Sequence, residues 1–186
     1  MRIISGRYKG KKLNSPASDH IRPTSDRMRE SIFNMLEHGS GPGISQNRVL
    51  DLFAGTGAFG IESISRDAAM VTFVDNDRQS IELVKQNMSL IDSAENISLK
   101  CINSLYFHDT NNQYDIIFID PPYNKGLITP TLTNIHERNI LANDGVIVTE
   151  SSCGEIIDFT EYFKVVKTRK VGDSEVNILE KNYKWS

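Results

Sequence analysis

From Arg48 onward, short apolar runs alternate with amphipathic stretches. Val49-Leu50-Asp51-Leu52-Phe53 is apolar enough for a buried strand, and a glycine-rich turn and a helix near residues 58–66 follow it. A second strand is predicted over residues 70–74 and ends at Asp75. Asp77 is placed to cap a helix whose apolar positions, Ile81, Val84, Met88 and Ile91, recur at helical spacing. Further strands are predicted over residues 97–101, 114–119 and 146–149, and two late ones, near 163–169 and 175–179, flank the turn Gly172-Asp173-Ser174. Strands alternating with helices predict a parallel α/β sheet covered on both faces, with the last hairpin as an antiparallel edge. Ligands of such sheets bind outside the carboxyl ends of the strands, near the point where strand order reverses.

The first 43 residues follow a different pattern. Residues 1–15 mix β-branched and basic residues around Gly6 and Gly10, which suits a short hairpin, and Ser15-Pro16-Ala17-Ser18 breaks it. Arg22-Pro23-Thr24 reads as extended because the residue before a proline avoids the helical region. Ser25 can then cap a helix with Met28, Ile32, Met35 and Leu36 on one face, and Gly39-Ser40-Gly41-Pro42-Gly43 ends it as a mobile linker. The expected organisation is a basic N-terminal extension over residues 1–43 and a main domain over 44–186.

Composition narrows the class. A chain of 186 residues, 39% hydrophobic and 24% charged, can bury about 70% of its unfolded surface and needs no covalent staple. Two cysteines, Cys101 and Cys153, do not make a disulfide scaffold, and the default is a reducing, cytoplasmic location. No apolar run approaches the ~18 residues that span a bilayer, and the opening residues lack the apolar core of a signal peptide. The net charge is −3 but unevenly spread: residues 1–30 hold eight bases against three acids, the remaining 156 thirteen against twenty-one. A basic arm on an acidic body can bind phosphates, although a solvated surface stretch would look the same. His20, His38, His108 and His136 show no ligand spacing, so no metal is expected.

The turn after the first strand reads Asp51-Leu52-Phe53-Ala54-Gly55-Thr56-Gly57-Ala58-Phe59-Gly60. Glycines at 55, 57 and 60 let the backbone turn tightly and approach a ligand, and Asp75 at the end of the next strand can accept hydrogen bonds from ribose hydroxyls. Two nucleotide-like ligands fit. A dinucleotide would set its pyrophosphate on the helix N-terminus. S-adenosylmethionine instead carries an ammonium and a sulfonium, and Asp51, four residues before Gly55, favours it. Asp51 also admits a plainer role, tying strand to loop. Phe53 and Phe59 suit core positions, although Phe53 lies inside the turn and joins the candidate cofactor set.

The second motif is Asp120-Pro121-Pro122-Tyr123, directly after the apolar strand that ends at Ile119. Two prolines stop the strand and fix the backbone. The tetrapeptide presents a carboxylate, rigid carbonyls and an aromatic face, which match a planar base bearing an exocyclic amine. The Asp120 carboxylate and the Pro121 carbonyl can accept the two N–H donors of that amine, and Tyr123 can stack on the ring. Held this way, a poorly nucleophilic amine has its lone pair aimed at an electrophile; fixed alignment supplies about 7–11 kcal/mol of such a barrier.

With both motifs in view, the chain resembles class I methyltransferases that act on exocyclic amino groups. Met1-Arg2-Ile3-Ile4-Ser5-Gly6, Lys9-Gly10, Leu13 and the run from Arg22 to Glu30 narrow the resemblance to the RsmD family, bacterial 16S ribosomal RNA guanine-N2 methyltransferases. It implies a seven-stranded Rossmann-like sheet with an N-terminal hairpin and helix. It also implies S-adenosylmethionine as methyl donor and a guanine of the small ribosomal subunit, or its assembly intermediate, as substrate, with the protein a monomer. By position, Asp51, Gly55 and Gly57, with Phe53, would line the methionine end, Asp75 and Asn76 the ribose, and Asn103-Ser104 the adenine, Ser104 standing where many class I methyltransferases have Asp. Arg22, Thr24, Arg27 and Arg29 would approach the RNA or the active-site mouth. Independently of the resemblance, Lys125, just after Tyr123, can hold a phosphate beside the target or be a plain loop-surface lysine. Read from the residues themselves, Lys164, Lys167, Arg169 and Lys170 along a late strand can extend the basic surface, although edge-strand lysines also discourage aggregation. The amine motif alone leaves an adenine-N6 methyltransferase open, and the glycine turn alone leaves an NAD-dependent oxidoreductase open.

Overall fold

The computed structural model describes residues 1–15, 25–39, 41–91 and 96–183. The readings placed on residues 16–18 and 22–24 therefore lie outside the described residues. A seven-stranded sheet forms the centre: β1 (Arg48–Leu52), β2 (Met70–Asp75), β3 (Ile97–Cys101), β4 (Tyr114–Ile119), β5 (Leu141–Ser152), β6 (Phe163–Val171) and β7 (Ser174–Lys181). Their order is β3-β2-β1-β4-β5-β7-β6; β1 to β5 run parallel and β7 inserts antiparallel between β5 and β6. The order reverses between β1 and β4, so a crevice opens at their carboxyl ends.

Helices α1 (Asp26–His38), α2 (Ala58–Ser65), α3 (Arg78–Met88) and α4 (Ile128–Glu137) cover the sheet. Because neighbours on a strand point to opposite faces, β1, β2, β4, β5 and β7 each feed two cores. Val49, Phe73, Phe118, Val148 and Ile178 pack with α1, α2 and α3, while Leu50, Val74, Ile117, Ile147 and Leu179 pack with α4. Asp77 caps α3, its side chain accepting from Gln79 N at 3.0 Å. That helix ends at Met88; Ile91 is buried but lies beyond it.

Helix α4 is not announced by its pattern. Its sequence, Ile-Thr-Pro-Thr-Leu-Thr-Asn-Ile-His-Glu, holds three threonines and a proline, and no side chain caps its start. Pro130 stands in the first turn, where its missing N–H costs nothing, and burial of Ile128, Leu132 and Ile135 supplies what propensity does not. Nor is the break after α1 a free linker across its described part: Asn47 Nδ2 donates to the carbonyls of Pro42 and Gly43, both at 3.1 Å, and Ile44 is buried.

The N-terminal residues form a turn closed by the bridge Arg2↔Lys12 and clamped onto α2. Glu62, 1% exposed, accepts from the amides of Ile4 (2.8 Å) and Ser5 (3.0 Å). Ser65 Oγ accepts from Tyr8 N at 3.0 Å, and Ser65 O accepts from Arg7 N at 2.7 Å. Arg66 bridges Glu62 and Glu37, tying α2 to α1, and its guanidinium stacks 4.6 Å over the Phe33 ring. Ile3, Leu13 and α1 share one core with β1 and β4.

Gly6 makes this clamp possible: its φ is +81°, and a Cβ there would lie 1.7 Å from the Ser65 carbonyl oxygen. Gly6→Ala is expected to lower stability in urea unfolding by about 2–3 kcal/mol, the range for strain combined with lost buried hydrogen bonds. A midpoint equal to that of the wild type would show that the clamp does not form.

Candidate active site

At the switch point lies a cleft of about 660 Å³. Its floor is the turn between β1 and α2. Phe53 adopts φ +63°, a left-handed conformation unusual for a non-glycine residue, and its half-buried ring faces the cleft beside Ala54 and Gly55. Gly60 meets a packing demand rather than a ligand: a Cβ there would fall 2.2 Å from the Phe73 ring.

Two carboxylates hold the turn. Asp51, 1% exposed on β1, accepts from Gly60 N at 2.9 Å. Burial pushes its carboxyl up to about 8, against the opposing pull of the Gly60 N–H. Asp75, at the end of β2, accepts from Gly55 N through one oxygen and from Asp77 N through the other, both at 2.8 Å. Its carboxyl is also raised, chiefly by burial. Asp75, Asn76 and Asp77 line the cleft, with Ser80 beside them. Asp51 and Gly57 do not; they lie beneath the turn, with Gly57 at φ +76° heading α2. Asp51 is thus placed in its plainer role of tying strand to loop.

Asp120-Pro121-Pro122-Tyr123, following β4, lines the same cleft. Tyr123 is anchored by its hydroxyl, which donates to Glu150 Oε1 at 2.7 Å and lies 2.8 Å from Ser174 Oγ. Burial raises this phenol well above its ordinary range, so it stays a donor to Glu150 at neutral pH. Glu150 is 4% exposed near the end of β5, and Ser174 opens β7. Sequence reasoning missed both. Glu150 did leave a signal, as an acid directly after the apolar run 146–149 at a strand's carboxyl end; Ser174 left none, because only the β6–β7 turn brings it across the sheet.

The mouth is framed by Ser25, Arg27 and Met28 of the α1 start and by Val171, Gly172 and Asp173. Arg27 is exposed there. Arg29 is not an RNA-facing residue: two positions along the helix puts it on the opposite side, where it is fully buried. Its guanidinium donates to the Arg2 carbonyl at 2.7 Å and to Asp26 at 2.6 Å, and burial lowers its pKa. Arg22 and Thr24 lie outside the described residues. Lys125 is exposed beyond Tyr123 and does not line the cleft. Asn103 and Ser104 do not line it either: Asn103 Oδ1 caps a single 3₁₀ turn (Ser104–Tyr106) by accepting from Leu105 N at 2.9 Å, and Ser104 is buried.

Charge selects the ligand. Among the described residues, Asp75, Asp77, Asp120, Glu150 and Asp173 line the cleft against one base, Arg27. Like charges brought together cost several kcal/mol, so this lining disfavours a pyrophosphate and suits a cationic, nucleoside-bearing ligand.

Residues 1–180 match the family described as conserved hypothetical protein 95. The chain is 36% identical over 152 residues to the ribosomal RNA small subunit methyltransferase D of Escherichia coli (strain K12), covering 81% of this chain and 74% of that protein. It is 31% identical over 176 residues to the protein of the same name from Haemophilus influenzae, covering 92% and 89%. Among solved structures, yhhF of Escherichia coli, described as a methyltransferase, superposes with a TM-score of 0.85 at 29% identity over 98% of each chain.

The buried Asp51 gives the fold a pH signature. A folded-state pKa near 8, against about 3.9 in the unfolded chain, means that the native state holds a proton that the unfolded state lacks throughout that window. Its contribution to stability therefore falls as pH rises from about 4 to about 8. Asp51→Asn keeps an acceptor for Gly60 N–H and removes the titration. Urea unfolding at pH 5 and pH 8 should show wild type losing stability relative to the variant; parallel loss would contradict a neutral buried carboxyl.

Proposed function

The chain belongs to the family of the ribosomal RNA small subunit methyltransferases D, and from that membership we propose that it methylates the N2 amine of a guanine in 16S ribosomal RNA, working as a cytoplasmic monomer. The observation that carries the proposal is that the Asp120–Tyr123 corner and the glycine turn line one acid-rich cleft. S-adenosylmethionine, when bound, supplies a methyl group on a positively charged sulfur. Phe53, Gly55, Asp75 and Asn76 would hold it: backbone against the methionine end, the Asp75 carboxylate at the ribose.

The substrate side follows from the corner. Asp120 and the Pro121 carbonyl accept the two hydrogens of the guanine amine, so the nitrogen lone pair points across the cleft. The anchored Tyr123 offers its ring to the base; stacking of this kind is worth about 1–3 kcal/mol. Glu150 and Ser174 keep that ring from turning, which limits the loss of freedom when the base arrives. The carboxylate beside the nitrogen stabilises the charge that grows there as the bond to carbon forms and the carbon–sulfur bond breaks; the neutral thioether departs and the surplus amine proton is lost to water. A base stacked in a helix cannot reach the corner, so the target enters unpaired or extruded, past Arg27. Residues 1–43 serve the RNA through Arg27 and the flanking bases, with residues 44–186 carrying the chemistry.

The test is methylation of small ribosomal subunits lacking the modification, followed by nuclease digestion and mass spectrometry of the nucleosides. N2-methylguanosine is the expected product; N6-methyladenosine, or no methylated nucleoside, would overturn the proposal. Asp120→Ala should lower turnover about 10²–10³-fold, as removal of a group that stabilises developing charge does, with cofactor affinity retained. Tyr123→Phe should cost much less, since the ring stays and only its anchor is lost. Equal losses in the two variants would contradict this division.

A further inference from the structure

We propose that the edge strand β6 is the docking rail for ribosomal RNA beside the cleft mouth, with Lys164, Lys167 and Arg169 holding phosphates on one face of the sheet. The identity of the polyanion rests on the function proposed above; the surface itself rests on the strand. β6 is the outermost strand, bonded only to β7, and residues 164–170 are all exposed. In a chain of net charge −3, Phe163–Val171 carries four bases and no acid.

The alignment of those bases is built by an irregularity. In a regular strand Lys164 and Lys167, three apart, would point to opposite faces. The register shifts between Val165 and Lys167, so that Lys164 pairs with Glu180, Lys167 with Ile178, Arg169 with Val176 and Val171 with Ser174. These partners are spaced by two along β7 and share one face, the face on which Val176, Ile178 and Val171 pack with α1. The Lys167 ammonium lies beside Gly39 at the end of α1: a Cβ at Gly39 would be 2.8 Å from it. Charged residues guard many edge strands against aggregation, but guarding does not require a bulge that brings three bases onto one face.

The row leads to the site. Val171 and the turn after it line the cleft, as Arg27 does. Arg169 stands about 7 Å and Lys167 about 13 Å up the strand from Val171, at 3.3–3.4 Å per residue. Lys164 lies 3.3 Å from Glu180, whereas among the described residues no carboxylate pairs with Lys167 or Arg169. The five acids of the cleft repel phosphate, so while a base enters, the backbone has to be held outside the mouth, where this row stands.

The experiment measures binding of a fluorescent 16S ribosomal RNA fragment by anisotropy across a salt series, with no turnover needed. The triple variant Lys164→Gln, Lys167→Gln, Arg169→Gln should bind at least about 10-fold more weakly near 0.15 M salt, with a salt slope shallower by two to three, as expected for two or three lost phosphate contacts. Lys85→Gln, on α3 across the sheet, should bind like wild type. Unchanged S-adenosylmethionine affinity by calorimetry shows that the triple variant is folded; if it is not, the single variants Lys167→Gln and Arg169→Gln are each expected to lower the slope by about one. Affinity and slope equal to wild type, an equal loss in Lys85→Gln, or no RNA binding by wild type would overturn the rail. RNA binding that depends on the rail without any methyl transfer would instead overturn the catalytic proposal and leave the rail standing.

Discussion

Two neighbouring parallel strands carry an aspartate at or next to their carboxyl ends, and both side chains grip the same turn. Asp51 on β1 takes the amide of Gly60, one turn into α2, and Asp75 on β2 takes the amide of Gly55 at the tip. The glycine turn is thus pinned from below and from the side. Phe53 is held at a backbone angle that it would not choose alone, and a strained residue persists only where its surroundings over-determine it. Everything on the cleft floor takes its position from this pair of bonds. Burial keeps Asp51 largely protonated at neutral pH, so the pin does not add a full charge under an already acidic cleft.

Helix α2 passes that order to the substrate side. Its start carries the turn; its far half carries Glu62, Ser65 and Arg66, which hold the N-terminal segment and, through Glu37, the helix α1. The start of α1 then frames the cleft mouth with Arg27 and Met28. A stacked pair, Phe59 against Phe118 at 4.8 Å, couples α2 to β4, whose end presents Asp120. The glycine turn, the Asp120–Tyr123 corner and the start of α1 are therefore three ends of one packed unit, a fit for the proposed chemistry, in which two bound molecules must be aligned within a fraction of an ångström.

How much of this was legible follows from the range of the interactions involved. The parallel strands, the Asp77 cap and the Asp120–Tyr123 corner rest on local pattern, and the structure has them where residue spacing puts them. Helix α4 was hidden because its threonines and proline argue against a helix while its burial against β4 and β5 argues for one, and only the second is non-local. Arg29 reads as one more base in a basic run; that it turns inward to Asp26 and the Arg2 carbonyl depends on where residues 1–13 pack. Glu150 meets Tyr123 through the parallel pairing of β5 with β4, and Ser174 only through the antiparallel insertion of β7. Asp51 was visible as a residue that matters; its bond to Gly60 N beneath the turn was not.

The central claim is that the donor and the base corner share one cleft and face each other across it. A crystal structure with S-adenosylhomocysteine and guanosine monophosphate tests it most directly. The account predicts the sulfur over the Phe53–Gly55 turn, the ribose at Asp75, and the guanine amine at Asp120 and Pro121, pointing toward the sulfur. A nucleoside seated elsewhere, or a sulfur turned away from the corner, would contradict it.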